Sequence, residues 1–333
     1  MEVEQVTRSE WEDALPEGGI EVFHLPAALD VLAAHAQGEL RLYAGFKGHQ
    51  PVALFPAFVR EAAVGRTITS PPPRMGVPRL GPVVMAQSPK QRKRERVNRR
   101  FVRGVLDDLG ADASLALCRI VCPRTYPDPR PFQWTDLDVH PSFTYVVDLD
   151  RPLEDVKAGF SGSLRKEIRR LQGGDLAVEV GGVSTARRVY DDVTSRYADQ
   201  DEPFGPSWPY VRDLVTALGD RARAYAAYDP SGAYLGGIVA LFSDDTVYFW
   251  LGGARSDYEG ASVNTLLHWT IIRDAVENPP GDPVQGYDLV GANTERLCRY
   301  KSKLGGDVVP YYVVETPGTG MDIAKRAFQL VRR

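Results

Sequence analysis

Residues 287–315, YDLVGANTERLCRYKSKLGGDVVPYYVVE, carry the pattern from which the fold can be read. Residues 287–290 form a short apolar strand pattern broken by Gly291. Asn293 or Thr294 is placed to cap a helix on which Leu297, Tyr300 and Leu304 recur at helical spacing. Gly305 and Gly306 stop that helix, because glycine takes the positive φ of a C-terminal cap. Residues 307–315, rich in Val and Tyr, then read as a strand. The expected unit is strand, helix, strand, with Lys301 and Lys303 on the helix. A lysine set between two strand ends can meet a phosphate or an oxyanion; the bland alternative is that it faces water.

Upstream, three strands follow hairpin logic: residues 222–228, a turn at 229–232, residues 234–242, a turn at 243–245, and residues 247–252. Gly236 and Gly237 interrupt the middle strand, which suggests a bulge or a close backbone approach. The loop GGARSDYEGAS, residues 252–262, leads into a helix over 263–277. Before these strands lie a strand over 143–149, a helix from Pro152 through Leu171, a strand over 175–180 and a helix over 184–199. The proline-stiffened loop EPFGPSWPY, residues 202–210, precedes a helix ending at Leu218. Within residues 152–171, Leu164, Ile168 and Leu171 mark a buried side, and Arg165, Lys166, Arg169 and Arg170 form a cationic rim. The Ser-Gly-Ser opening at 161–163 offers backbone N–H groups that can hold a phosphate, although ordinary capping explains the serines equally well.

The order Asp288-x-x-Gly291, Tyr300-Lys301, Gly305-Gly306 resembles the closing segment of the FemABX-like branch of the GNAT acyltransferase superfamily. The likeness extends more loosely over residues 160–315, where LRKEIR at 164–169 resembles the family's Leu-Arg-x-x-Ile-Arg stretch. In the first half it is one of organisation. The resemblance implies an α+β protein of two tandem GNAT-like domains, each a mixed, mainly antiparallel sheet flanked by helices. The expected division is 1–140, a degenerate copy, and 141–333, the catalytic copy.

It also implies roles. Lys301 matches the family lysine credited with stabilising a tetrahedral oxyanion, Tyr300 its aromatic neighbour, and Asp288 could orient Lys301 or accept a proton. In acetyl-CoA-binding GNAT enzymes the loop before the helix reads Arg/Gln-x-x-Gly-x-Gly/Ala and cradles a pyrophosphate. Arg255, Tyr258 and Gly260 fall on those positions, followed by Ala261 and Ser262. Tyr258 stands where glycine is expected, and Asp257 and Glu259 add negative charge, which favours the FemABX-like branch and weighs against CoA at this loop. Asn293 is a cap or a donor ligand. Candidate acceptor contacts are Ser163, Arg165 and Arg169, with Trp208 and Tyr210 as a pocket wall or as a staple between helices.

The first half begins with a helix pattern over 26–36 and two strand runs, 40–46 and 51–59, joined by a short turn. SPPPRMGVPRLG at 70–81 cannot continue a central strand; its Arg74 and Arg79 either line a site or belong to a surface loop. From Lys90 to Arg103 the chain carries eight basic residues and one glutamate, then Phe101, Val105, Leu106 and Leu109 at helical spacing. One amphipathic helix starting near Pro89 accounts for both. Its basic face is either solvated surface or a contact for RNA or a membrane surface. A strand over 114–121 and a Pro-rich connector over 122–138 follow.

The 333 residues are 43% hydrophobic and 25% charged, a globular composition sufficient for about two domains. A net charge of −4 gives no global attraction to polyanions, so any such partner needs a local patch. The acidic start, MEVEQVTRSEWEDALPEGG, and the lack of an apolar run of about 18 residues point to a cytoplasmic chain with no transmembrane segment. Cys118, Cys122 and Cys298 are too few and too oddly spaced for a disulfide framework or a zinc site, and the five histidines are scattered, so no metal is implied.

The expected function is N-acyl transfer from an acyl-CoA thioester to an amine or amino-sugar acceptor. No permanently bound cofactor is expected. The alternatives are an aminoacyl-tRNA-dependent transferase, with tRNA on the basic helix, as some FemABX relatives take their acyl group from charged tRNA, and a non-catalytic module binding RNA or a lipid head group. The absence of a long charged helical hairpin in the second domain tilts the donor towards a thioester.

Overall fold

The computed structural model describes residues 1–63, 65–85, 88–113 and 115–318. The described chain forms two compact units: residues 1–142 with 310–318, and residues 143–309. The division thus lies at Ser142 and Phe143, and the chain re-enters the first unit at Pro310.

In the first unit, β1 (Glu2–Gln5) precedes α1 (Arg8–Ala14) and α2 (Pro26–His35). Then come β2 (Glu39–Lys47), β3 (Gln50–Glu61), β4 (Arg66–Ser70), the two-residue β5 (Val83–Val84), α3 (Gln91–Leu109), β6 (Ala116–Val121) and α4 (Arg130–Gln133). Ser114, where the sequence reading begins its strand, lies outside the described residues. The basic run forms α3 as expected. Phe101, Val102, Val105, Leu106 and Leu109 turn inward against Tyr43, Phe55 and Ile120, and Gly110 in the left-handed region ends the helix.

The Pro-rich stretch over 70–81 is not a simple surface loop. Arg74 is exposed, but Arg79 is 1% exposed and pairs with buried Glu21 at 3.0 Å, its guanidinium lying over the Tyr311 ring. Proline removes ladder donors, and this interior ion pair supplies the anchoring that a strand would have given.

β7 (Asp138–Asp148) starts in the first unit and passes into the second. The second unit then runs α5 (Leu153–Gly159), α6 (Gly162–Gln172), β8 (Ala177–Gly181), α7 (Val183–Ala198) and α8 (Trp208–Leu218). It continues with β9 (Ala222–Tyr228), β10 (Tyr234–Phe242), β11 (Thr246–Gly252), the small hairpin β12 (Asp257–Tyr258) and β13 (Ala261–Ser262), α9 (Val263–Glu277), β14 (Gly286–Asp288) and α10 (Glu295–Lys301). Finally β15 (Asp307–Glu315) starts in this unit and ends in the first. The single helix expected from Pro152 to Leu171 is two. Phe160 drops into the core, edge-on to Trp269, and Ser161 caps a new helix, its amide bonded to the Lys303 carbonyl. Gly305 allows this approach: a Cβ there would lie 2.4 Å from the Gly159 carbonyl oxygen, and its φ is +68°.

Both units repeat one pattern of strand pairing. In the first, β1-β2-β3-β4 are antiparallel neighbours, β4 and β6 are parallel across the α3 crossover, and β15 closes antiparallel on β6. In the second, β8-β9-β10-β11 are antiparallel, β11 and β14 are parallel across α9, and β7 closes antiparallel on β14. The α+β architecture expected from the sequence holds, with mixed, mainly antiparallel strand pairing in each unit.

Breaking a buried ion pair strands the surviving charge in a low-dielectric interior. Arg79→Met should therefore destabilise the first unit by about 3–5 kcal/mol in urea unfolding. A cost under about 1 kcal/mol would mean that Glu21 is not held as described.

Candidate functional site

The parallel ladder between β11 and β14 is short: it runs from Thr246 opposite Gly286 to Tyr248 opposite Asp288. Beyond it the strands diverge. β11 continues to Gly252, with Trp250 bulged between the pairs Val239–Leu251 and Ala240–Phe249, whereas Leu289 turns to donate its amide to the Tyr145 carbonyl on β7. β11 and β10 remain close there; a Cβ at Gly252 would lie 2.3 Å from the Gly237 carbonyl oxygen. The glycines that interrupt β10 also serve a close approach, as the sequence suggests: a Cβ at Gly236 would lie 2.7 Å from the Ala254 Cα, and one at Gly237 2.7 Å from the Tyr225 carbonyl oxygen.

Lys301 holds the diverging loop. It is 4% exposed, and its ammonium donates to the carbonyls of Leu289, Val290 and Gly291 at 2.5, 2.7 and 2.7 Å. These three bonds engage all the donors an ammonium has. The loop needs the clamp, because Val290 is β-branched yet has φ +49°, followed by Gly291 at +84°. Asp288 supports it from the other side, accepting from the Val290 amide at 2.8 Å and from the Thr144 hydroxyl at 2.6 Å. Burial pulls Lys301 down to about 8, with Asp288 opposing the shift.

Next to Lys301, Tyr300 accepts at its phenolic oxygen from the Asn264 amide nitrogen at 2.5 Å, and the Asn264 carbonyl oxygen accepts from the Ala254 amide at 3.0 Å. Burial raises the Tyr300 phenol well above its ordinary range, so it stays protonated. His268, one turn along α9 from Asn264, lies 5.9 Å from the Tyr300 ring and packs edge-on against Phe249, the first β11 residue past the ladder. Its Nδ1 is 2.7 Å from the Tyr287 hydroxyl, and burial drives it down to about 3, which keeps the imidazole neutral. Asn264, His268 and Phe249 escaped the sequence reading. For the first two the signal available was the i, i+4 pair Asn264 and His268 on the mostly apolar run VNTLLHWTII.

The remaining candidates lie elsewhere in the second unit. Asn293 accepts from the Phe143 amide at 2.8 Å, and Thr294 is the cap of α10. Arg255, Tyr258, Gly260, Ala261 and Ser262 lie on or beside the β12–β13 hairpin, which turns through Glu259 and Gly260. Below it the first α9 amide, that of Val263, donates to the Ser256 carbonyl, and the loop amide of Ala254 is taken by Asn264. Exposed Arg170 of α6 reaches this turn, within 3.5 Å of a Cβ built on Gly260. Ser163, Arg165 and Arg169 lie on the exposed side of α6. Trp208 packs at a tilt against Tyr190 of α7 beneath Arg187, and buried Tyr210 meets Trp250 edge-on. The structure therefore gathers Asp288, Tyr300 and Lys301 in one place and leaves the α6 and α8 candidates outside it. Among the described residues no group of three His, Cys, Asp or Glu side chains could hold a metal ion, and no helix is long and apolar enough to cross a membrane.

Residues 158–302 match the acetyltransferase (GNAT) domain family. No curated protein matches the chain by sequence. Among solved structures, FemX aligns over 100% of both chains with a TM-score of 0.70 at 12% identity. L-PGS from Bacillus licheniformis aligns over 98% of this chain and 95% of its own, with a TM-score of 0.54 at 14% identity. A tandem GNAT protein from the clavulanic acid biosynthesis pathway aligns over 96% and 100%, with a TM-score of 0.51 at 13% identity. At these identities the likeness is one of fold. The resemblance to the GNAT superfamily holds in the domain match for residues 158–302, and the likeness of the whole chain to FemX is one of fold.

Lys301 offers a pH test of the clamp. In the unfolded chain a lysine titrates near 10.4, so between pH 8 and 10 the unfolded state binds more protons and the stability due to this residue rises with pH. The unfolding free energy of the native chain minus that of Lys301→Met should widen by about 2 kcal/mol over that window. A gap that stays constant would contradict the buried, depressed lysine.

Proposed function

From the GNAT acetyltransferase domain at residues 158–302, we propose that this chain transfers an aminoacyl or acyl group from an activated ester to an amine at the point where β11 and β14 diverge. The observation that carries the reading is the division of labour between two neighbours. Lys301 engages its three hydrogens on the backbone of Leu289, Val290 and Gly291, whereas Tyr300 keeps its hydroxyl proton while its oxygen is held by Asn264. In this reading the oxyanion-stabilising role that the family resemblance gives Lys301 passes to Tyr300, and Lys301 is the positioning residue that shapes the loop.

The amine nitrogen attacks the carbonyl carbon of the donor, and the carbonyl oxygen becomes an oxyanion that accepts a hydrogen bond from the Tyr300 hydroxyl. The intermediate then collapses. The bond to the leaving oxygen or sulfur breaks, the surplus proton on nitrogen passes to that leaving atom, and an amide and a free alcohol or thiol result. Tyr300 never gives up its proton, in keeping with its raised pKa. Asp288 is fully buried and its carboxylate bonds the loop, so it acts on Lys301 and the backbone rather than on substrate.

The favoured donor is an aminoacyl ester of tRNA. A CoA pyrophosphate would need the amides at the start of α9, and here that of Val263 is already bonded to the Ser256 carbonyl, beneath a hairpin that carries Asp257 and Glu259. The acyl-CoA donor is the second reading, supported by the exposed Arg255 and Arg170 at that hairpin. The acceptor is a small amine or amino sugar, with exposed Arg165 and Arg169 available to an anionic group on it.

Transfer from mixed charged tRNA and from acetyl-CoA to a pool of amino acids and amino sugars tests both donors. Tyr300→Phe should lower kcat about a hundredfold with little change in KM and melting temperature, the size expected for one lost oxyanion donor. Lys301→Met should lower kcat and melting temperature together. Full activity in Tyr300→Phe would sink the assignment.

A further inference from the structure

We infer that the outer face of α3, in the first unit, is a seat for a single-stranded polynucleotide. It deepens the tRNA-donor reading above by naming where an RNA strand would lie. Arg92, Lys93, Arg96, Arg99, Arg100 and Arg103 are all exposed on this helix, and none of them forms an ion pair among the described residues. Several stand three or four positions apart, where like charges destabilise a helix, in a chain whose net charge is −4. The acid within the run does not relieve them, because Glu95 is taken by Arg130 at 2.7 Å.

These cations edge concave surfaces. On one side Arg92, Lys93, Arg96 and Arg99 line a groove of about 300 Å³ with Trp134 and the Arg130-paired Glu95, and the groove continues past Arg103, Pro131 and Thr135. On the other side Lys93, Arg96 and Arg100 border a smaller one with Lys47 and Ser88. Trp134 is 48% exposed, an unusual position for an indole in the middle of an arginine row. Its place is fixed. Arg130 lies 5.6 Å over the ring and is itself held by Asp128 and Glu95, while Asn98 of α3 donates to the Asp128 carbonyl and accepts from Tyr126. An exposed indole beside a track of unpaired cations is the combination that binds phosphodiesters and stacks unpaired bases.

A lipid surface fits less well. The apolar side of α3 (Phe101, Val105, Leu106 and Leu109) is buried in the core, so the helix has no apolar face to insert, and the cations border grooves.

The test is fluorescence anisotropy with a labelled, unstructured 12-nucleotide RNA, and with phosphatidylglycerol vesicles as the other probe. RNA binding at 50 mM salt should weaken about thirtyfold by 200 mM, as release of counterions from three or four phosphates requires. The double variant Arg96→Glu/Arg99→Glu should flatten that salt slope, and Trp134→Ala should weaken binding about tenfold with the slope unchanged. Both variants change exposed residues, and an unchanged melting temperature confirms that they fold. Absence of RNA binding at 50 mM salt, binding indifferent to these substitutions, or binding to vesicles alone would each overturn the inference. The readout needs no turnover, so failure of aminoacyl transfer with groove-dependent RNA binding overturns the donor reading and supports this one. Transfer without such binding does the reverse.

Discussion

Three consecutive carbonyls, those of Leu289, Val290 and Gly291, converge on one buried ammonium, and the shape of the second unit's site depends on that convergence. Backbone carbonyls on one side of an extended chain alternate in direction, so three in a row can meet a single point only if the chain turns. The turn is made by positive φ at Val290 and Gly291, and at Val290 it is costly. Lys301 and Asp288 supply the compensating bonds, one to the carbonyls and one to an amide. Because β14 ends in this turn, it cannot follow β11 past Tyr248. The strands part, and Phe249, Asn264, His268 and Tyr300 cluster at the place where the ladder stops.

The same features divide what could be read from the sequence from what could not. Glycine stops at 291 and 305, the cap before α10, the hairpins of the second unit and the amphipathic α3 are local signals, and local physics sets them. The position of Lys301 was legible, but its partners were not, since a lysine's donors are assigned by tertiary geometry and carbonyls leave no mark in a sequence. The broken helix at Phe160 shows the limit from another side. Residues 152–171 have helical periodicity throughout, and the break comes from core packing around Trp269 and the bond that the Ser161 amide donates to the Lys303 carbonyl, both partners far along the chain. Arg79 was hidden for the same reason: an arginine in a Pro-rich loop belongs outside unless a buried acid such as Glu21 awaits it.

The two units use one pairing pattern for different ends. In the first, β4 and β6 stay paired over five residue pairs, from Arg66–Ala116 to Ser70–Ile120, so no opening forms between them. In the second, the corresponding strands share three pairs and then diverge. The crossover helices differ in the same sense. α9 turns Asn264 and His268 inward to the divergence, whereas α3 turns only apolar residues and Asn98 inward and leaves its charge on the outside. A duplicated scaffold can thus place polar chemistry inside one copy and charge on the surface of the other.

β15 has a bearing on how the molecule comes into being. Val313, Val314 and Glu315 pair with Val121, Ile120 and Arg119, so the first sheet is closed by residues that a ribosome adds almost two hundred positions later. The unit that is synthesised first is therefore finished last, and its edge strand β6 must wait for the second unit to emerge before it gains its last neighbour. During that interval the nascent chain carries an open β edge, which makes translation speed and chaperone access part of the physical chemistry of this fold.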